Sequence, residues 1–137
     1  MASEMYSLKT DGDKPLSENF KVKEFACKDG ANTVLVDSEL VEVLQKVRDH
    51  FNRPVTITSG YRTIGHNKRV GGSPNSQHLL GTAADIQVKD TPPEFVAEYA
   101  ETLLSGRGGI GLYRKKQGRA KGWVHIDVRQ KKARWQL

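Results

Sequence analysis

An α+β fold is predicted by three features of the chain. Helix-type and strand-type segments follow one another without the regular alternation of a doubly wound fold. Residues 38–51 carry one apolar stripe at three- and four-residue spacing, whereas residues 55–58 are β-branched throughout. Between Ser59 and Asp85 the sequence SGYRTIGHNKRVGGSPNSQHLLGTAAD turns polar and glycine-rich, a composition suited to a site and not to a core. A length of 137 residues predicts a single domain spanning 1–137.

Taken in order, residues 1–20 read as an irregular lead-in, with turn signals at Asp11-Gly12-Asp13 and Lys14-Pro15. Phe20–Phe25 alternates apolar and polar and suits a short strand or a helical turn, closed by Lys28-Asp29-Gly30. The clearest helix starts at Asp37 or Ser38, whose side-chain oxygen caps it, and acidic Glu39 and Glu42 favour its positive end. Leu40, Val43, Leu44, Val47 and Phe51 form its inner stripe, His50 reads as a surface residue near its end, and Asn52-Arg53-Pro54 stops it.

Val55–Thr58 is a strand that delivers Ser59-Gly60-Tyr61-Arg62. One or two helical turns over 63–70 and a loop over 71–76 precede a second strand over 82–88. Asp90-Thr91-Pro92-Pro93-Glu94 is a helix start with Thr91 as cap, and Phe95, Val96, Tyr99, Leu103 and Leu104 are its expected inner face. A third strand over 109–113, a basic hairpin loop over 114–121 and a fourth strand over 123–128 follow, with 129–137 as a basic C-terminal tail.

Composition narrows the function. No apolar run approaches the roughly 20 residues of a membrane span, so none is expected. The N-terminal residues lack the apolar core of a signal peptide; the expected route is synthesis in the cytoplasm and action after lysis or non-classical release. Cys27 is the single cysteine, which excludes an internal disulfide and cysteine-based zinc sites and suits a small buried side chain. The net charge of +6 is uneven: residues 1–104 hold 12 Lys and Arg against 15 Asp and Glu, whereas 105–137 hold 10 basic residues against Asp127 alone. Such a basic segment suits contact with a polyanion, for which an anionic cell-wall polymer is one candidate. Nucleic acid is not expected, because only Tyr113, Trp123 and Trp135 are interleaved with those charges.

The chemistry concentrates in His78 and Asp85, seven residues apart with Gly81 between them, and in His125 within Trp123–Val128. On a strand, His125 shares a face with Trp123 and Asp127, while Val124, Ile126 and Val128 point to the core. Zinc in a catalytic site takes about three protein ligands, His and carboxylate among them, and leaves a position for water. His78, Asp85 and His125 are therefore candidate ligands of one Zn2+ ion, the alternative being histidines satisfied within the core.

Ser76-Gln77-His78-Leu79-Leu80-Gly81-Thr82-Ala83-Ala84-Asp85 resembles the S-x-H-x-x-G-x-A-x-D motif of the zinc D-Ala-D-Ala carboxypeptidase family. That family comprises peptidoglycan peptidases and shares its fold with the signalling domain of hedgehog proteins. Ser59-Gly60-Tyr61-Arg62 is similar to its upstream S-G-[YF]-R segment, and Trp123–Val128 resembles its closing motif. The resemblance runs from about residue 35 to 129 and implies a small antiparallel sheet with helices packed on one face. It implies His78, Asp85 and His125 as zinc ligands, Arg62 as the group that polarises the scissile carbonyl and binds substrate, and Ser76 as a substrate-orienting hydroxyl. Ser76 also suits a purely loop-capping role. The implied reaction is attack of a zinc-acidified water on a peptide bond next to a D-amino acid in peptidoglycan stem peptides.

One departure stands out. Many relatives carry a carboxylate three residues before the last zinc histidine, or a histidine two before it; here those positions are Gly122 and Trp123. The H-x-D ending, also found in a branch of the family, leaves Asp127 either as general base or as the partner that orients a ligand histidine. His66 is a further candidate for proton transfer, with a surface position as its alternative. Two functions follow: a zinc peptidase cutting peptidoglycan, such as a phage or prophage lysin, or a non-catalytic zinc-containing wall-binding module of the same fold.

Overall fold

The computed structural model describes residues 3–137 and has the α+β architecture expected. Five strands form the main sheet in the order β3-β4-β6-β5-β7: β3 (Val55–Ser59), β4 (Ala83–Val88), β5 (Gly109–Tyr113), β6 (Trp123–Asp127) and β7 (Ala133–Gln136). The first four pair antiparallel, and β7 runs parallel to β5 at the edge. Helices α2 (Ser38–Phe51) and α4 (Pro93–Leu103) supply the apolar layer that packs with this sheet.

Strand alternation divides the sheet into two chemistries. Ala84, Ile86, Val124, Ile126, Ile110 and Leu112 are buried in the core. Leu40, Leu44 and Val47 of α2 meet them there, each such burial stabilising the fold by about 1.5–3 kcal/mol. The opposite face carries Asp85, His125, Asp127 and Tyr113, with Asp85 and Gly111 both paired in register with His125. A bulge between Ile57 and Ser59 interrupts β3 beside this row. Bulges of this kind re-aim side chains, and here Ser59 Oγ accepts a hydrogen bond from Arg62 Nε at 3.1 Å.

Helix α2 begins where the sequence predicts: Asp37 caps it by accepting from the Glu39 amide at 2.8 Å, and Asn52 ends it in the left-handed conformation. Helix α4 differs in two respects. Its cap position is Pro92 with no side-chain cap, because the Thr91 hydroxyl bonds instead to the Lys89 carbonyl and receives Arg53. Its inner face is Val96, Ala100 and Leu104 with Tyr99 and Leu103 half-buried against the core, and of the expected stripe Phe95 alone is exposed, at 58%.

Both ends of the chain are more ordered than the sequence suggests. Of the expected irregular lead-in over 1–20, residues 1–2 lie outside the described residues, and Ser3–Ser7 forms β1, followed by the short helix α1 (Leu8–Asp11). Strand β1 pairs antiparallel with β2 (Thr33–Asp37), a strand masked in sequence because Leu35 keeps its alternation apolar. The Phe20–Phe25 segment resolves as a 3-10 turn over Val22–Phe25. Nor is 129–137 a tail, since β7 completes the sheet. Four of the ten basic residues of 105–137 are paired internally: Arg107 with Glu39, Arg114 with Glu94, Arg129 with Asp127 and Arg134 with Glu101. Among the described residues no helix is long and apolar enough to cross a membrane.

Candidate metal centre

His78 stands on a 3-10 turn, Gln77–Leu80, whose start is capped by Ser76 Oγ accepting from the His78 amide at 3.2 Å. Gly81 ends the turn at φ +72°, a conformation that L side chains rarely adopt. A methyl group there would lie 2.5 Å from the Leu35 carbonyl oxygen, so β2 packs directly under the turn. The ring of His78 is buried, and its Nδ1 lies 2.7 Å from the Gly60 carbonyl oxygen. A carbonyl only accepts, so Nδ1 carries the proton and Nε2 keeps a free lone pair.

That lone pair faces Asp85 Oδ1 at 3.3 Å, and His125 Nδ1 approaches the same oxygen at 3.0 Å. His125 is oriented from behind: its Nε2 lies 2.7 Å from Asp127 Oδ2, which fixes the proton on Nε2 and frees Nδ1. One ligand atom from each of His78, Asp85 and His125 thus falls within 4.8 Å of the other two. Two imidazole nitrogens and one carboxylate oxygen, buried and each held by a second hydrogen bond or ion pair, make a donor set that fits zinc.

The electrostatics follow from these contacts. Burial alone would raise the Asp85 carboxyl, but the His125 and His78 imidazoles beside it outweigh burial and hold the group below the ordinary carboxylate range. Burial pulls His125 down, yet Asp127 and Asp85 on its two sides raise it overall. Burial likewise opposes ionisation of Asp127, and His125 and Arg129 keep it an anion.

Arg62 reaches the centre, its Nη2 3.6 Å from Asp85 Oδ2, while Nη1 donates to Asn67 Oδ1 at 3.2 Å. Ser76 lines the cleft and also performs the capping role read as its alternative. Asp127 is fully buried with both oxygens engaged. Oδ1 accepts from the Arg129 amide and Nε, and Oδ2 from Arg129 Nη2 and His125. That placement favours the positioning role over the general-base role. His66 lies on α3 (Ile64–Arg69) and is absent from the cleft wall. Gly122 has a packing reason to lack a side chain, since a methyl group would meet the Tyr113 carbonyl oxygen at 2.4 Å.

The cleft over this centre measures about 630 Å³. A more apolar groove of about 400 Å³, lined by Tyr6, Leu16 and Val41, carries no metal-ligating set. Among the side chains of the cleft wall that the sequence reading did not name as site residues are Tyr113, Arg129 and Trp135. Trp135 comes from β7 and packs over Gly111, with its ring 5.0 Å from that of His125. A side chain at 111 would start 2.4 Å from the indole. Gly111→Val is therefore expected to expel Trp135 and destabilise the fold by about 1–3 kcal/mol, on the scale of overpacked sites. Thermal melting with indole fluorescence checks this, and an unchanged Tm with a native emission maximum would contradict it.

The peptidase M15 family model matches residues 18–127. The chain is also 43% identical over 35 residues to the zinc D-Ala-D-Ala carboxypeptidase of Streptomyces albus G. That alignment covers 26% of this chain and 14% of the relative.

Proposed function

The chain belongs to the peptidase M15 family, and from that premise we propose that it is a zinc peptidase hydrolysing a peptide bond next to a D-amino acid in peptidoglycan stem peptides. The observation that carries this reading is the convergence of His78 Nε2, Asp85 Oδ1 and His125 Nδ1 on one point at the floor of an open cleft. Zinc, when bound there, supplies Lewis acidity, acidifying water and polarising a carbonyl. The relative's name, zinc D-Ala-D-Ala carboxypeptidase, supports the metal and the bond type.

The chain's own residues divide the remaining work. His78 and His125 are held in the tautomers that present a lone pair, by Gly60 and Asp127 respectively. Arg62 balances the second oxygen of Asp85 and directs its remaining N–H groups at a substrate carbonyl or carboxylate. Ser76 sets the turn that carries His78 and offers its hydroxyl proton to substrate. Lys115, Lys116 and Lys121 of the basic hairpin, with Lys131 and Lys132, suit contact with an anionic wall polymer. Action at the cell wall belongs to the same proposal.

A second reading, a zinc-containing wall-binding module without catalysis, is favoured by one observation: among the described residues, no carboxylate other than Asp85 lines the cleft. Digestion of purified peptidoglycan with the zinc-loaded protein, with and without chelator, separates the two. The peptidase reading predicts chelator-sensitive release of new termini, and mass analysis of the muropeptides identifies the bond. Full zinc occupancy with unchanged muropeptides would sink it in favour of the binding module.

A further inference from the structure

The cleft wall holds a phenolic hydroxyl, that of Tyr113, whose proton has no acceptor among the described residues. Tyr113 stands on β5, paired with Trp123 and two residues beyond Gly111, the partner of His125. Its ring stacks on Trp123 at 4.7 Å and 12°, and the Arg119 guanidinium lies 5.4 Å from its centroid. Trp135 Nε1 donates to the Tyr113 oxygen at 2.8 Å. An indole N–H only donates, so the phenolic proton cannot be directed at Trp135. Among the described residues no side chain or carbonyl accepts it.

The indole also reports where that hydroxyl lies. Trp135 covers Gly111 and spans from the His125 ring, 5.0 Å away, to the Tyr113 oxygen. The hydroxyl is thus carried back along β5 over the cross-strand row that holds Asp85 and His125. The competing donor is partly spent, because Arg62 commits Nε to Ser59 and Nη1 to Asn67, with Nη2 toward Asp85.

We propose that Tyr113 is a catalytic residue that donates a hydrogen bond to the substrate oxygen on which negative charge develops as the peptide carbonyl is attacked. This rests on the peptidase reading above, and the group it recognises is a tetrahedral oxyanion. A donor already held in place needs little reorganisation at the moment of reaction.

The test compares zinc-loaded wild-type protein with Tyr113→Phe and Trp135→Phe, using D-Ala-D-Ala-terminated stem peptide and a phosphinate isostere of D-Ala-D-Ala. Tyr113→Phe is expected to lower kcat about 10²-fold, the scale of losing one oxyanion donor, with KM, zinc stoichiometry and Tm close to wild type. Its affinity for the phosphinate should fall by a similar factor. Trp135→Phe keeps the hydroxyl and loses only its anchor, so its loss should be the smaller. Tyr113→Phe with wild-type kcat and phosphinate affinity would overturn the proposal and leave the peptidase reading standing. If the wild type cleaves nothing yet binds the phosphinate, the peptidase reading fails and the catalytic role of Tyr113 falls with it. A wild type that neither cleaves nor binds the phosphinate overturns both.

Discussion

His78→Ala is expected to abolish zinc binding and, with it, peptidoglycan cleavage by about three orders of magnitude or more. The size follows from what the metal contributes, since a zinc site lowers the pKa of water from about 15.7 to about 7. Removing this ring also strips the Gly60 carbonyl of its partner in a buried setting, a cost of about 1–3 kcal/mol to stability. The variant therefore needs two readouts. Metal content by elemental analysis and thermal melting together separate a folded, zinc-free protein from an unfolded one. Stoichiometric zinc in a folded His78→Ala protein would remove His78 from the ligand set.

Asp127→Asn is expected to leave the fold largely in place and weaken zinc affinity by about 10- to 100-fold, the usual effect of losing a partner that orients a ligand histidine. The reason lies in which atoms face each other. Asp127 Oδ2 accepts from His125 Nε2, and that contact is what leaves Nδ1 as the ligand atom toward Asp85. An amide in its place can turn an NH2 group toward Nε2, shift the proton to Nδ1 and block coordination. Arg129 would lose its carboxylate partner in the same step. Competition with a chromophoric chelator measures the effect. Unchanged affinity with a large fall in turnover would instead assign Asp127 to proton transfer.

The parts of the fold that were legible in sequence are those written in local pattern. The cap at Asp37 and the stripe from Leu40 to Val47 define α2, and the β-branched run at Val55 defines β3. The parts that were not legible depend on distant partners. Strand β1 exists because β2 offers it an edge, and in β2 the run Val34-Leu35-Val36 shows no apolar–polar alternation. Strand β7 lies in a stretch that reads as basic tail, yet Glu101 receives Arg134 and Gly111 leaves room for Trp135. Neither condition is visible from residues 129–137.

The site divides along the same line. His78 and Asp85 share one motif, and the alternation around His125 places it opposite the core, so the candidate cluster could be read before any coordinates. What sequence left open was the role of Asp127, which turns on its burial and on Arg129 filling both of its oxygens. The missing carboxylate at position 122 has a steric cause, because the backbone of Gly122 packs against Tyr113 and accepts from Gln87 Nε2 at 3.0 Å. The same strand pairing brings the Tyr113 side chain into the cleft. Cross-strand register, which composition does not encode, supplied that residue.

The central claim is that His78, Asp85 and His125 hold one zinc ion together. Anomalous diffraction at the zinc edge from crystals of the zinc-loaded protein tests it most directly. The account predicts one strong peak bonded to His78 Nε2, Asp85 Oδ1 and His125 Nδ1, at distances near 2.0–2.2 Å. A peak coordinated by other residues, or crystals of folded protein with no zinc at these atoms, would contradict it.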